Sequence, residues 1–443
     1  MVSQHSSRGA AGPLNLLGRS VEELRAYLES LGEPAYRAAQ IYHALYAERR
    51  FDLAQMTNLP AALRERLARE ALIALPQILR KHISADGTTR FVVAVGREEA
   101  ETGKKAEARE EAEAGEGAET REKVDAAAEK AESAAEVRPT AERRLRRTNA
   151  EVDAQAGATA GATATAGTTA RATATTATVE CVFMPEENRQ TICISTQAGC
   201  AVDCHFCLTA TLGLIRNLTA GEIIGQVLVA LEENRAALKP QTNVVLMGQG
   251  EPLLNFEPVM AALGILLDPK GLGISPKHAT LSTSGIVPGI ERLAREKVRP
   301  KLAISLNASS DEQRDEIMPI NRKYPLAALL EACRRYPLRP WEHLTFEYVL
   351  LGGFNDSVED ARRVVKLLAN LRVKVNLIPW NPGDLPYAKP DPARIEAFRK
   401  ILVDKGVPAF VRYSRGQDVM AACGQLALIE LAASSNVAQI SPR

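Results

Sequence analysis

Nowhere in this sequence does an apolar run approach the roughly 18 residues needed to cross a bilayer, which argues against an integral membrane protein. The opening stretch MVSQHSSRGAAGPLNLL also lacks the charged-then-apolar order of a secretion signal, so a cytoplasmic location is expected. Aromatic residues are scarce at 5%, and between residues 96 and 182 there are none. A disulfide framework is excluded as well: seven cysteines are too few, and odd in number, to staple 443 residues. In a reducing compartment, clustered thiols bind metal or do chemistry. Strong charge of one sign is missing too. The net charge of +1 nevertheless hides a contrast: residues 98 to 153 carry 11 Lys and Arg against 17 Asp and Glu, or −6, which leaves +7 for the rest. That mild surplus is compatible with a polyanionic partner.

What is present falls into segments. Residues 13–75 read as a small helical domain, with a capping box at Ser20 and Glu23 ahead of VEELRAYLESLG and Gly32 as a helix stop. Its two readings are a packing subdomain and an RNA-docking module. TTRFVVAV (88 to 95) and TVECVFM (178 to 184) read as strands, placing a β-hairpin region at 76–96 and 178–190. Between them, 97–177 is low in complexity, first charged and then rich in Ala, Thr and Gly. Such a composition cannot bury enough apolar surface to offset its ordering entropy, so a disordered insertion at a hairpin tip is expected. From 191 to 435 strand-like runs TICIST, NVVLMG, HATLSTSG, KLAISLNA, LTFEYVLLGG and KVNLIPW alternate with helical stretches. Six such units predict an α/β fold with a parallel sheet in an open or partial barrel. In such folds the site lies at the C-terminal strand ends. Gln197 to Cys207, Gly248 to Pro252, Ser282 to Gly285, Ser305 to Asn307, and Asn381 fall there.

The densest chemistry is GCAVDCHFC, with Cys200, Cys204 and Cys207 spaced C-x3-C-x2-C in the loop after the first of these strands. Three thiolates this close can converge on one centre, and cysteine ligation suits an iron-sulfur cluster. Structural clusters and structural zinc take four ligands, and no matching fourth Cys or His follows. Three ligands leave one coordination position open for a substrate. The competing reading is a structural zinc loop completed by a distant ligand such as Cys193 or Cys423.

The cysteine motif, with Phe206 before its last member, and GQGEP (248 to 252) resemble the radical S-adenosylmethionine (SAM) superfamily, whose fold is a partial (β/α)6 barrel. TICISTQAGCAVDCHFCLTATLGLIRNLTAGEIIGQV, MGQGEPLLNFEPV, LSTSGIVP, NLIPWNPG and RGQDVMAACGQL together resemble the RlmN/Cfr group of RNA adenine methyltransferases. The resemblance covers nearly the whole chain outside the insertion. It implies a 4Fe-4S cluster on Cys200, Cys204 and Cys207, and SAM contacts from Gly250, Glu251, Ser282, Ser305, Leu306, Asn307 and Asn381. It further implies Cys423 as the methyl-carrying cysteine, Cys193 as its resolving partner and Glu180 as proton acceptor.

The implied reaction methylates C2 of an adenosine in 23S rRNA and in tRNA. Adenine C2 resists methyl cations but accepts a carbon radical, hence a route through S-methylated Cys423 and a final Cys193–Cys423 disulfide. The implied partners are those RNAs, a one-electron donor such as flavodoxin and a thiol reductant, for a monomeric enzyme. The target base must be unstacked, so single-stranded or loop RNA is expected. RRYPLRPWEH (334 to 343) offers arginines with aromatics for RNA, or is a solvated connection. Cys181 and Cys333 read as small buried hydrophobes. Two alternatives are C8 methylation of the Cfr type, and a non-catalytic metal-bearing RNA-binding module with no use for Cys193 or Cys423.

Overall fold

A computed structural model describes residues 13–96, 177–381 and 385–426. The low-complexity segment expected at 97–177 lies, except for Ala177, outside the described residues, as does the stretch after 426.

The N-terminal part is helical, as its periodicity predicts. Helices α1 (Val21–Ser30), α2 (Arg37–Tyr46) and α3 (Ala61–Glu70) pack through Leu24, Leu28, Ile41, Leu45, Leu63 and Leu67, all buried. The Ser20 hydroxyl accepts from the Glu23 amide while the Glu23 carboxylate accepts from that of Ser20, so the capping box forms. Strands β1 (Leu14–Asn15) and β2 (Ala71–Leu72) close the unit as a short parallel pair. At Gly18, where φ is +84°, a Cβ would meet the Gly221 nitrogen at 2.2 Å. Only two glycines let the domain seat this closely on α4 (Ala220–Glu233).

The main sheet has ten strands. β3 (Gln77–Ile83), β4 (Thr89–Val95), β5 (Ala177–Pro185) and β6 (Arg189–Cys193) run antiparallel. From β6 onward pairing is parallel, through β9 (Gln241–Leu246), β10 (Ala279–Thr283), β11 (Lys301–Ser305), β12 (Leu344–Leu350), β13 (Val373–Pro379) and β14 (Ala409–Val411). The remaining pair, β7 (Gln197–Gly199) and β8 (Leu214–Asn217), flanks the cysteine loop. All six expected strands are present, and β14 adds a seventh. Val95 pairs with Ala177, so the two ends of the undescribed segment meet across a regular ladder.

Helices α4, α5 (Phe256–Leu267), α6 (Val287–Leu293), α7 (Asp311–Ile317), α8 (Leu326–Arg335), α9 (Val358–Leu367) and α10 (Pro392–Asp404) fill the crossovers. Side chains alternate between the two faces of a strand. In β11 to β14, Ile304, Phe346, Val375 and Ala409 are buried in one register row on the apolar face. The next row, Ser305, Glu347, Asn376 and Phe410, lies on the other face and is mostly polar. Cys181 and Cys333 are buried, as expected of small hydrophobes. Among the described residues no helix is long and apolar enough to cross a membrane.

Candidate active site

The C-terminal ends of the parallel strands bring the expected residues together. The cysteine loop leaves β7, whose Gly199 has φ +74°, and turns back so that Cys200 donates its amide to the Gly213 carbonyl at 2.9 Å. Cys207 closes a tight turn onto the Cys204 carbonyl at 3.0 Å. His205 donates its amide to Ile317 and leaves its ring largely exposed. Burial raises all three thiols, Cys200 to about 12. The Cys204 thiol is then raised further by Cys200 and Cys207, which places the three as electrostatic neighbours.

This donor set fits a thiolate-bound cluster. A bound metal keeps such thiols deprotonated and repays the burial that otherwise holds them neutral. Among the described residues no three His, Cys, Asp or Glu side chains stand close enough to share one ion. A cluster offers each thiolate its own iron and needs no such crowding.

Glu251, in the loop after β9, is buried. Its carboxylate accepts from the amides of Leu253 at 3.0 Å and Ser284 at 2.6 Å, while burial raises its carboxyl above the ordinary range. Gly250 has φ +101°, and a Cβ there would meet Gln197 at 2.6 Å, so only glycine lets the loop lie against β7. Ser282 lies on β10 and Ser305 ends β11; Leu306 is buried just beyond. Asn307 is left-handed, with φ +56°. Its side-chain oxygen accepts from the Val349 amide at 2.9 Å, and its carbonyl accepts from Asn355 at 2.7 Å. Asn381 follows β13 and donates to the Ser414 hydroxyl at 2.8 Å and the Cys423 carbonyl at 3.1 Å.

Cys423 is reached from β14 by a loop pinned at several points. The Leu208 amide donates to the Gly424 carbonyl at 2.8 Å, tying this loop to the three-cysteine loop. Cys423 has solvent access yet is ringed by protein, and burial, then Glu347 and Cys207, push its thiol up to about 11. Cys193, buried at the end of β6, packs with Val182, Val419, Ala421 and Leu426. Its thiol is raised well above the usual value by burial and then by Cys423. Both are free thiols.

Glu180 is fully buried on β5. Arg90 Nε lies 3.2 Å from its carboxylate, and Gln249 Nε2 donates to it at 3.3 Å. Arg90 also donates to the Met420 carbonyl at 3.3 Å, and Gln249 to that of Leu426 at 3.5 Å, so the Glu180 group borders the Cys423 loop. Trp341, within 334 to 343, precedes β12 and so lies at the opposite end of the sheet, between Lys277 and Arg339.

Two residues to which the sequence assigns no role also hold the site. Arg314, 0% exposed on α7, donates to the carbonyls of Ser284 at 2.6 Å, Ser305 at 3.0 Å and Leu306 at 3.1 Å, and to Asn321 at 2.9 Å. It joins the loops after β10 and β11 beneath Cys204. Gln197 donates to Asn217 and accepts from the Glu251 amide at 2.8 Å.

The ribosomal RNA large subunit methyltransferase N-terminal domain family matches residues 14–73, and the radical SAM superfamily matches 194–368. The chain is 42% identical over 407 residues to a probable dual-specificity RNA methyltransferase RlmN of Koribacter versatilis, covering 91% of this chain and 99% of that one. It is 40% identical over 414 residues to the dual-specificity RNA methyltransferase RlmN of Anaeromyxobacter dehalogenans, covering 92% and 90%. Its structure is similar to a radical SAM methyltransferase from Sphaerobacter thermophilus, with TM-score 0.71, 35% identity, and coverage of 94% and 99%.

Proposed function

The chain belongs to the RlmN family of dual-specificity RNA methyltransferases within the radical SAM superfamily, and from that premise we propose that it methylates C2 of an adenosine in 23S rRNA and in tRNA. It is a radical SAM enzyme whose cofactors are a 4Fe-4S cluster and SAM. When bound, these supply a one-electron cleavage of SAM that generates a carbon-centred radical.

The rest is work for the chain's own side chains. Cys200, Cys204 and Cys207 hold the cluster, and Glu251 offers its carboxylate to the SAM ammonium. Gly250, Ser282, Ser305, Leu306, Asn307 and Asn381 complete the SAM contacts. Cys423 carries the methyl group on its sulfur to the adenine. Glu180, paired with Arg90, takes the C2 proton. Cys193 then gives up its proton and attacks the Cys423 sulfur, breaking that sulfur's bond to the nucleobase-bound carbon; this carbon takes up a proton, leaving methylated RNA and a disulfide. A thiol reductant resets that pair, and a protein such as flavodoxin supplies electrons. The enzyme acts as a cytoplasmic monomer, with its N-terminal helical domain against RNA.

One observation carries this reading: the Cys423 loop is hydrogen-bonded to the three-cysteine loop, and Cys423 lies near enough to Cys193 to raise its thiol. A non-catalytic metal module needs neither arrangement. The test is the methylated adenosine, with its isomer assigned by mass spectrometry against standards, in RNA from cells with and without this protein. Loss of 2-methyladenosine on deletion is expected. Loss of the C8 isomer, or of neither, would overturn the reading.

A further inference from the structure

The polar face of the sheet carries charge and aromatic surface that neither the cysteines nor the SAM-facing loops use. Strand alternation puts Lys374 and Asn376 of β13 on that face, with Phe410 and Arg412 beside them at β14. Cys193, Val245, Thr280 and Lys301 form a row on it as well. Cys193 and these cations therefore share one face of the sheet, with Cys193 at the end of β6 and Lys301 at the start of β11.

β14 ends the sheet among the described residues, so this face opens to solvent there. Phe410 is 48% exposed and Tyr413 68%. The Arg412 guanidinium lies 5.7 Å from the Phe410 ring centroid. From this edge a hydrogen-bonded chain leads inward. Arg412 Nε donates to Asn376 at 3.2 Å, and Asn376 donates to Glu347 at 3.0 Å. Glu347 is in turn a neighbour of the Cys423 thiol.

Lys301 and Lys374 are half-buried, and among the described residues no ion pair is formed by either. Burial and then Lys374 depress the Lys301 ammonium; burial and then Arg412 depress that of Lys374. These cations are close enough to repel one another. The acidic groups near them have other partners: Glu342 binds Arg339, and Glu347 is held by Asn376. Such crowding of half-desolvated cations is relieved by an anion arriving from outside.

We propose that this face is a single-strand RNA track, in which Phe410 stacks one unpaired base beside the target adenosine and Arg412, Lys374 and Lys301 receive the adjoining phosphates. Exposed aromatics with interleaved cations are the general equipment for unpaired nucleotides. The track rests on the reading of the chain as an RNA methyltransferase. It adds to that reading the strand's path, from the open edge of the sheet toward Cys423.

The test measures Kd of the anaerobically purified full chain for a fluorescent RNA hairpin with an unpaired adenosine in its loop, across a salt series. Phe410→Ala should weaken binding about 5- to 150-fold, the range for one stacked base, with the salt slope unchanged. Phe410→Trp should bind within about twofold of the parent, which separates stacking from misfolding. Replacing Lys301 and Lys374 together with Gln should lower the slope of log K against log salt by about 1.4, or about 0.7 for each lost phosphate contact. Unchanged affinity and slope in all three variants, with RNA binding by the parent intact, would overturn the track alone. Equal competition by polyglutamate would also overturn it, because the face would then suit an acidic polypeptide. Failure of the parent to bind or methylate any RNA would overturn the track together with the function it rests on.

Discussion

The side-chain amide of Asn381 donates to the carbonyl of Cys423 at 3.1 Å, so the segment that follows β13 also holds the Cys423 loop. The same amide reaches the Ser414 hydroxyl, and its oxygen accepts from Gln417. Asn381→Ala leaves those groups to find new partners, at a cost of about 1–3 kcal/mol. Cys423 in the cluster-free variant should then react with iodoacetamide several-fold faster than in the parent, while buried Cys193 should not. An unchanged Cys423 rate would show that this bond does not restrain the loop.

Replacing Cys200, Cys204 or Cys207 singly with Ala should remove bound iron after anaerobic reconstitution and abolish SAM cleavage with it. Iron assay and visible absorbance check this directly. Full retention of iron by any of the three would break the ligand assignment. Zinc in the parent as isolated, with no iron taken up on reconstitution, would restore the zinc-loop reading.

Arg314 gives a sharper test of the site's architecture. It bonds four oxygens from three segments, and a lysine ammonium cannot reproduce that planar fork. Arg314→Lys should lose about 2–4 kcal/mol of stability, since buried carbonyls lose their donors. SAM affinity, read by equilibrium dialysis, should fall at least tenfold while iron content holds. Unchanged SAM affinity would reduce Arg314 to a packing role.

Buried thiols set the alkaline limit. Burial pushes Cys181 and Cys333 up to about 12, whereas an unfolded thiol titrates near about 8.5. Below the unfolded value both states keep the proton and stability is full. Above it the unfolded chain loses protons that the folded chain retains, so stability falls until the folded value is passed. Each thiol contributes up to about 1.4 kcal/mol per pH unit in that window. The double variant Cys181→Ala, Cys333→Ala should therefore lose less stability than the parent between pH 9 and 11 in denaturant titrations. Parallel pH profiles would refute it.

Much of this protein can be read from its residues, and the exceptions have physical causes. Six parallel strands are legible because each is a strand-like run of five or more residues next to a helical period. β14 escapes notice because three residues are too few to show alternation. β3 is obscured because it carries Leu79 and Ile83 half-exposed and is broken by a bulge between Ile78 and Arg80, so its period fails. The cysteine spacing announces the centre, since ligands near in sequence must converge. Arg314 and Gln197 act through contacts distant in sequence, and in the charged helix DEQRDEI nothing distinguishes a buried arginine from a solvated one. The row Glu347, Asn376 and Phe410 exists only once the strand register is known.

Cys193 offers the test that separates the proposed mechanism from its rivals. It packs in a small apolar cluster with Val182, Val419 and Leu426, so Cys193→Ala costs on the order of 1 kcal/mol if the residue only fills space. If it resolves the covalent adduct, the reaction stalls with the adenosine still bridged to the Cys423 sulfur. RNA should then copurify with this variant through denaturant, and nuclease digestion should leave a nucleotide-sized mass on the Cys423 peptide. Cys423→Ala should give neither adduct nor methylated RNA, because no sulfur is present to carry the methyl group. The structure makes this asymmetry reasonable: Cys423 has solvent access, and Cys193 is buried. Two variants that behave alike, both active or both free of adduct, would remove the division of labour between the two thiols.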